Sequence, residues 1–175
     1  GGDWENRFKQ ELLLGVGGIR LLDEMKINAA LFHSNEGHAA FIGLERLRKL
    51  VNDEKLSFAQ ALEVVKTTTA FTTHTPVPAG HDTFDENILR TYIPHYAERL
   101  NLTWDEFMNL GKIIPNNPDE KFSMSILAMK LSQFTNGVSR IHGNVSRKMF
   151  NPLFDGYFED ELQNICYVTN GVHMP

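Results

Sequence analysis

Four short runs with strand character recur along this chain, and at least one helix-length stretch separates each from the next. The runs are NAALFH (28–33), TAFTTHT (69–75), FTNGVS (134–139) and ICYVTNG (165–171). A connection that carries a helix cannot be a tight hairpin, so consecutive strands run parallel. The alternation predicts an α/β fold with a parallel sheet, helices on both faces and right-handed crossovers. A length of 175 residues suits one domain.

The helices are legible from spacing. Phe8, Leu12, Leu13, Val16, Ile19 and Leu22 recur at helical period within 6–25. Gly15, Gly17 and Gly18 interrupt that helix at roughly 1 kcal/mol each relative to Ala, so a neighbour should pack closely on them. A second helix begins near His38, with Phe41, Leu44, Leu47, Leu50 and Val51 on its apolar face and Glu45, Arg46, Arg48 and Lys49 on its polar face. Further helices are predicted over 57–68, with Ser57 as N-cap, and over 86–100, 123–133 and 140–150. Another spans 104–110, where Thr103 and Glu106 make a capping-box pattern.

Composition excludes several classes. A net charge of -5 without a basic run gives nucleic acid no electrostatic footing. No apolar run approaches the roughly 20 residues that cross a bilayer, and the first residues show no secretory signal. The single cysteine, Cys166, lies in an apolar run and is expected as a small core residue. A cytoplasmic setting fits. Both ends look cut, so the chain is expected to be a fragment of a longer protein.

In open parallel sheets, ligands bind outside the carboxyl ends of the strands. Here those ends read HSNEGH, THTPVPAGH, TNGVSRIH and TNGVH. Asn-Gly is first a turn signal, and a lone His is commonly structural. Four such ends on one edge favour a polar cleft, and uncharged donors and acceptors suit a polyhydroxyl ligand. His33 and His38, or His74 and His81, lack the spacing of a zinc pair on one helix face. GVGG (15–18) lacks the dinucleotide fingerprint and follows no strand, so it reads as helix packing. No Gly-x-Ser-x-Gly elbow occurs. Arg140, Arg147 and Lys148 around His142 could attract an anion, but a solvated helix face is the expectation.

HSNEGHAAFIGLERLR, FTTHTPVPAGHDTF, TNGVSRIHGNVSRKMF and YVTNGVHMP closely resemble consecutive blocks of the α-glucan phosphorylases, of the bacterial and archaeal branch. GGDWENRFKQELLLGVGGIRLL is similar to another block of the same enzymes. The likeness covers nearly the whole chain, in the family's order. Asn144 stands where Glu is usual and Phe150 where Trp is usual, both on one predicted helix.

That resemblance implies retaining phosphorolysis, in which an α-1,4-glucan and inorganic phosphate give glucose 1-phosphate. It implies a B-type glycosyltransferase fold of two Rossmann-like domains, with pyridoxal phosphate held by a lysine of the C-terminal domain. Residues 1–175 would form a partial domain: the latter part of the N-terminal one, ending near the interdomain crossing. His74 is the catalytic candidate. In the family its counterpart bonds the reacting glucosyl unit and turns its main-chain carbonyl toward the forming oxocarbenium charge. Asn170 matches a residue on the sugar's 6-hydroxyl, and Glu36 and His38 line the pocket beside the glucose. Asn136 and His142 are expected to give structural support. The cofactor lysine, the phosphate-binding Arg and Lys, and the N-terminal glycine-rich loop are not recognisable, so the chain alone is expected to be inactive.

Two alternatives stay open. One is a stand-alone glucan-binding or interaction domain, which needs exposed aromatic rings; Trp4 and Trp104 sit in helical contexts where burial is expected. The other is a different B-type glycosyltransferase such as a glycogen synthase, against which the NEGH and HTPVPAGH blocks argue.

Overall fold

A computed structural model describes residues 3–154 and 165–171. Helix α1 (Trp4–Leu12) runs into one π-helical turn (Leu13–Gly17) and then α2 (Gly18–Glu24). Strand β1 (Phe32–Asn35) leads through a 3₁₀ turn (Gly37–Ala39) into α3 (Phe41–Asn52), followed by α4 (Phe58–Thr67). Strand β2 (Thr69–Thr73) precedes the proline-rich exit and the short strand β3 (Thr83–Phe84). Then come α5 (Glu86–Tyr92), α6 (Tyr96–Arg99), α7 (Trp104–Asn109), β4 (Phe122–Ser123) and α8 (Met124–Lys130). Strand β5 (Phe134–Gly137), α9 (Arg140–Phe150) and β6 (Ile165–Tyr167) complete the described chain.

The main sheet has the order β1-β2-β5-β6, with every pair parallel and helices flanking it, as the alternation predicts. Register sorts its rows by chemistry. Ser34, Phe71, Thr135 and Ile165 align across the four strands, and all are buried. The next row, on the opposite face, is Asn35, Thr72, Asn136 and Cys166. Polarity therefore rises toward the carboxyl ends.

Two packing devices orient the helices. An added Cβ at Gly15 would lie 2.5 Å from Phe41 Cβ and 2.7 Å from its carbonyl carbon, so the first helical segment meets the start of α3 nearly backbone to backbone. Gly15 is thus the close contact anticipated for the glycines, whereas Gly18 meets nothing within 4 Å. Phe8 packs edge-on against Phe41 and Phe84, at centroid distances of 5.4 and 4.9 Å. The Thr103–Glu106 capping box forms as expected, and the Ser57 N-cap is completed as a second box by Gln60.

Several expectations need correction. The first strand starts at Phe32, later than the apolar run 28–33 suggests, because it is an edge strand whose ladder uses the polar His33 and Asn35. The helix predicted over 86–100 divides at Ile93 and Pro94, since proline lacks the amide that a continuous helix needs. Cys166 is half-buried on β6, where partial burial raises its thiol pKa. Trp4 is 56% exposed rather than buried, with only an edge on Phe84.

Glu45 is the largest departure. Placed by periodicity on a polar face, it is 1% exposed. Arg20 Nε and Arg48 Nε donate to its Oε1 at 2.9 and 3.0 Å, and the Tyr96 hydroxyl donates to Oε2 at 2.5 Å. The carboxylate joins α2, α3 and α6. Arg46 on the same helix reaches the start of β2 instead, donating to Thr69 Oγ1 at 2.7 Å while stacking over Phe32.

Glu11 makes a second buried carboxyl, tucked beside Arg7 and Asp82. Arg7 Nη2 donates to Asp82 Oδ2 at 2.8 Å. Its Nε lies 2.9 Å from Glu11 Oε1, yet neither Glu11 oxygen accepts a well-aligned hydrogen bond. Burial, reinforced by the negative Asp82, pushes the Glu11 carboxyl up to about 8.

Glu45→Ala should leave two arginines and a phenol without their common acceptor. It is expected to cost about 3 kcal/mol of stability, read by urea unfolding of the full-length protein. Glu11 should make stability fall as pH rises from about 4.5 to about 8, because the folded state keeps a proton that the unfolded chain releases. Glu11→Gln is expected to flatten that slope, as shown by melting temperatures across the window.

Candidate functional site

The carboxyl edge is organised by a single carboxylate. Strand β1 ends at Asn35, and Glu36 still belongs to its ladder, donating its amide to Thr72 O at 2.8 Å. Glu36 then adopts φ 71 and ψ 166, which non-glycine residues avoid at a cost on the order of 1–3 kcal/mol. The next residue, Gly37, leaves no room for a side chain: an added Cβ would lie 2.8 Å from Ser125 Oγ. Together these features turn the Glu36 side chain toward the exit of β2. There its Oε1 accepts the main-chain amide of His74, and also the Thr75 hydroxyl at 3.2 Å.

The His74 ring is held separately. Its Nε2 lies 2.7 Å from Asn35 Oδ1. A carboxamide oxygen can only accept, so the bond assigns the proton to Nε2 and leaves Nδ1 as an acceptor. Strand parity explains the encounter: Asn35 aligns with Thr72, and His74 lies two residues beyond Thr72 on the same face. Below them, His33 Nε2 donates to Thr72 Oγ1 at 2.8 Å and Thr72 donates to Asn136 Oδ1 at 2.9 Å. Asn136 Nδ2 donates to Gly137 O at 3.1 Å. This chain of bonds crosses three strands behind the edge.

Beyond His74 the backbone is anchored at several points. Pro76 and Pro78 restrict φ, and Gly80 N and His81 N close turns onto Val77 O and Pro78 O at 3.1 Å each. His81 is buried, with Nδ1 2.7 Å from Ser125 Oγ, and burial lowers its pKa. Asp82 O accepts from Met124 N at 3.0 Å, and β3 pairs antiparallel with β4. The exit loop is therefore tied to α8, to the β3–β4 ribbon and, through Arg7 and Asp82, to α1.

A cavity of about 90 Å³ lies at this junction, lined by Glu36, His38, Thr75 and His81 together with Arg7 and Ser125. His38 thus sits beside Glu36, on the 3₁₀ turn. Asn170 is exposed on the segment after β6, where its amide donates to Val138 O at 3.1 Å. It shares the carboxyl edge with His74 but stands two strands away, about 10 Å. Among the described residues, His142 and Asn136 lie behind the edge, both buried. Residues 172–175, which complete the TNGVHMP motif, lie outside the described residues.

Asn35 and Thr75 escaped the sequence reading. The signal for Asn35 was its place at the carboxyl end of an edge strand, in register with Thr72. Thr75 carried no signal separable from its strand-forming neighbours. Trp104 donates its indole N–H to Glu86 at 2.8 Å and carries Arg90 over its ring, so it offers no free platform for a sugar.

The family model for carbohydrate phosphorylases matches residues 20–174. The chain is 45% identical over its whole length to the glycogen phosphorylase of Mycobacterium tuberculosis. It is 42% identical over 97% of its length to the maltodextrin phosphorylase of Thermococcus litoralis, and 32% identical over 99% to the glycogen phosphorylase of Aquifex aeolicus. It spans 21%, 19% and 24% of those three proteins. With the parallel sheet and its polar carboxyl edge in place, the match over most of its length shows that this chain belongs to the carbohydrate phosphorylase family.

Proposed function

We propose that the full-length protein is an α-glucan phosphorylase, releasing glucose 1-phosphate from α-1,4-glucans with inorganic phosphate, and that this chain supplies part of its sugar pocket. The observation that carries this reading is the Glu36 carboxylate holding the His74 amide and Thr75 hydroxyl at the strand ends. Among the described residues, no hydrogen bond to the His74 carbonyl is made by a backbone amide. That dipole is free to face a cation forming at the sugar's C1. In phosphorolysis the C1–O4 bond breaks, the leaving O4 takes a proton from the O–H of the inorganic phosphate, and an oxygen of that phosphate bonds C1 on the same face. A carbonyl already fixed in place stabilises the intervening charge without reorganising. The His74 ring, with Nε2 on Asn35, presents Nδ1 to accept from a sugar hydroxyl. Asn170 and His38 close the pocket from either side.

Pyridoxal phosphate, which the family implies, supplies a phosphate group for proton transfer when bound. The cavity beside Glu36 does not fit it: the one Arg or Lys among its lining residues is Arg7, already engaged by Asp82. In this proposal the cofactor and the phosphate-binding cations belong to other parts of the full-length protein. Residues 1–175 form the latter part of its N-terminal Rossmann-like domain and are inert alone. The setting is cytoplasmic, and a homo-oligomer is compatible. Among the described residues, no helix is long and apolar enough to cross a membrane.

A stand-alone glucan-binding module is the competing reading, and exposed Trp4 removes one argument against it. Calorimetry of this chain with maltoheptaose separates the two. Binding tighter than about 1 mM, roughly -4 kcal/mol, favours the module.

The full-length protein should release glucose 1-phosphate from maltodextrin only when phosphate is present. Dependence on a nucleotide sugar would point to a synthase instead. His74→Ala removes the ring but keeps the main-chain carbonyl, so kcat/KM should fall by about 5–150-fold, the loss of one hydrogen bond worth about 1–3 kcal/mol. Glu36→Gln keeps an acceptor but loses its charge. A bond to a charged acceptor exceeds a neutral one by about 1–2 kcal/mol, so kcat/KM should fall by about 5–30-fold, as steady-state kinetics would show.

A further inference from the structure

One arginine serves two carboxyls beside the exit loop. Arg7 Nε lies 2.9 Å from Glu11 Oε1 and 3.3 Å from Asp82 Oδ2, and its Nη2 donates to the same Asp82 oxygen at 2.8 Å. The two carboxyls are therefore neighbours across a single guanidinium. They differ in burial and in freedom. Glu11 is 1% exposed and fixed on α1, whereas the Asp82 side chain is 22% exposed and stands on the segment between β2 and β3. Both Glu11 oxygens are buried without a hydrogen-bond partner among the described residues. An ionised carboxylate only accepts, and one so enclosed is costly without donors aimed at it. A neutral carboxyl instead carries an O–H, and Asp82 is within reach to accept it.

We propose that Glu11 is a positioning residue: protonated, it donates its O–H to Asp82 and with Arg7 fixes the exit loop that carries His74, and loss of that proton loosens the loop. Charge balances in the protonated state, where the Arg7 cation meets one carboxylate rather than two. Burial and the negative Asp82 hold the proton on Glu11 up to about 8. An ionised Glu11 would set two like charges around one cation. Glu11 is held by its helix, so Asp82 is the partner that can shift toward water. Such a shift reaches the loop directly. Asp82 O accepts from Met124 N at 3.0 Å, and the preceding residue, His81, lies 2.7 Å from Ser125 Oγ. The charged groups that reach Glu11 are Arg7 from its own helix and Asp82 from the loop. Glu36 and His38 from the 3₁₀ turn, and His81 from the loop, line the cavity that Arg7 and Asp82 share. Glu5 and Lys9, also on α1, pair with each other at 3.0 Å. The effect on the loop does not depend on the activity proposed above, while the effect on turnover rests on it.

Amide hydrogen exchange of residues 74–82 in the full-length protein, read by mass spectrometry, tests the loop. Glu11→Gln carries a donor and no charge at any pH, so it stands in for the protonated residue. Wild type and Glu11→Gln should exchange alike at pH 7, and at pH 9 the wild type should exchange several-fold faster. The infrared difference between the two proteins at pH 7 should contain a protonated-carboxyl band, lost from the wild type by pH 9. If the full-length protein performs phosphorolysis, wild-type kcat/KM should fall relative to Glu11→Gln by about tenfold at pH 9, one unit above the midpoint of about 8. Ionisations elsewhere act on both proteins and cancel in that ratio. A loop that responds in a protein without phosphorolysis would sink the function above and leave this proposal standing. An ionised Glu11 at pH 7, equal loop exchange at pH 9, or a phosphorolysis whose pH profile is the same in both proteins would each overturn it.

Discussion

The bond from Glu36 to the main chain at His74 is the constraint on which the carboxyl edge depends. It joins the ends of two neighbouring parallel strands at the point where their ladder stops. A strand that leaves its sheet loses the partner for its next amide, and that amide would otherwise need water. Supplying a carboxylate there lets β2 leave the sheet directly into a proline-rich turn with no slack. The arrangement costs backbone strain at Glu36, whose φ is 71. Gly37, which leaves Ser125 room, and the parallel ladder below hold Glu36 in that conformation.

Around this bond, separate contacts converge on one loop. Asn35 fixes the His74 ring, Ser125 fixes His81, and Arg7 fixes Asp82. Each comes from a different element: β1, α8 and α1. The loop is therefore over-determined by its surroundings, as the role proposed for the His74 carbonyl requires. Glu45 and Glu11 act further back, where buried carboxyls set how α1, α2 and α6 meet α3 and the exit loop.

What sequence alone disclosed was the part governed by period and by local chemistry. The parallel sheet followed from alternation, the helix starts from the Ser57 N-cap and the Thr103 capping box, and the polar edge from the four strand ends. Other features follow from tertiary contact and leave no periodic trace. Glu45 sits at a spacing that reads as solvent-facing, yet Arg20 from another helix and Tyr96 from a third enclose it. Strands β3 and β4 have two residues each, too short for a period of two to register. The π-helical turn at Leu13–Gly17 accommodates the approach of Gly15 to Phe41, a partner distant in sequence. At the site, the motifs singled out Glu36, His38, His74 and Asn170, but only the tertiary structure brings Asn35 to the imidazole and the Glu36 carboxylate to the His74 amide.

The most direct test of the account is a crystal structure of the full-length protein with a maltodextrin bound. The account predicts a glucose unit against the His74 carbonyl and Nδ1, with Glu36 still accepting the His74 amide. A glucan bound on another face, or a Glu36 side chain that leaves the amide to grip the sugar while the His74 loop stays in place, would contradict it.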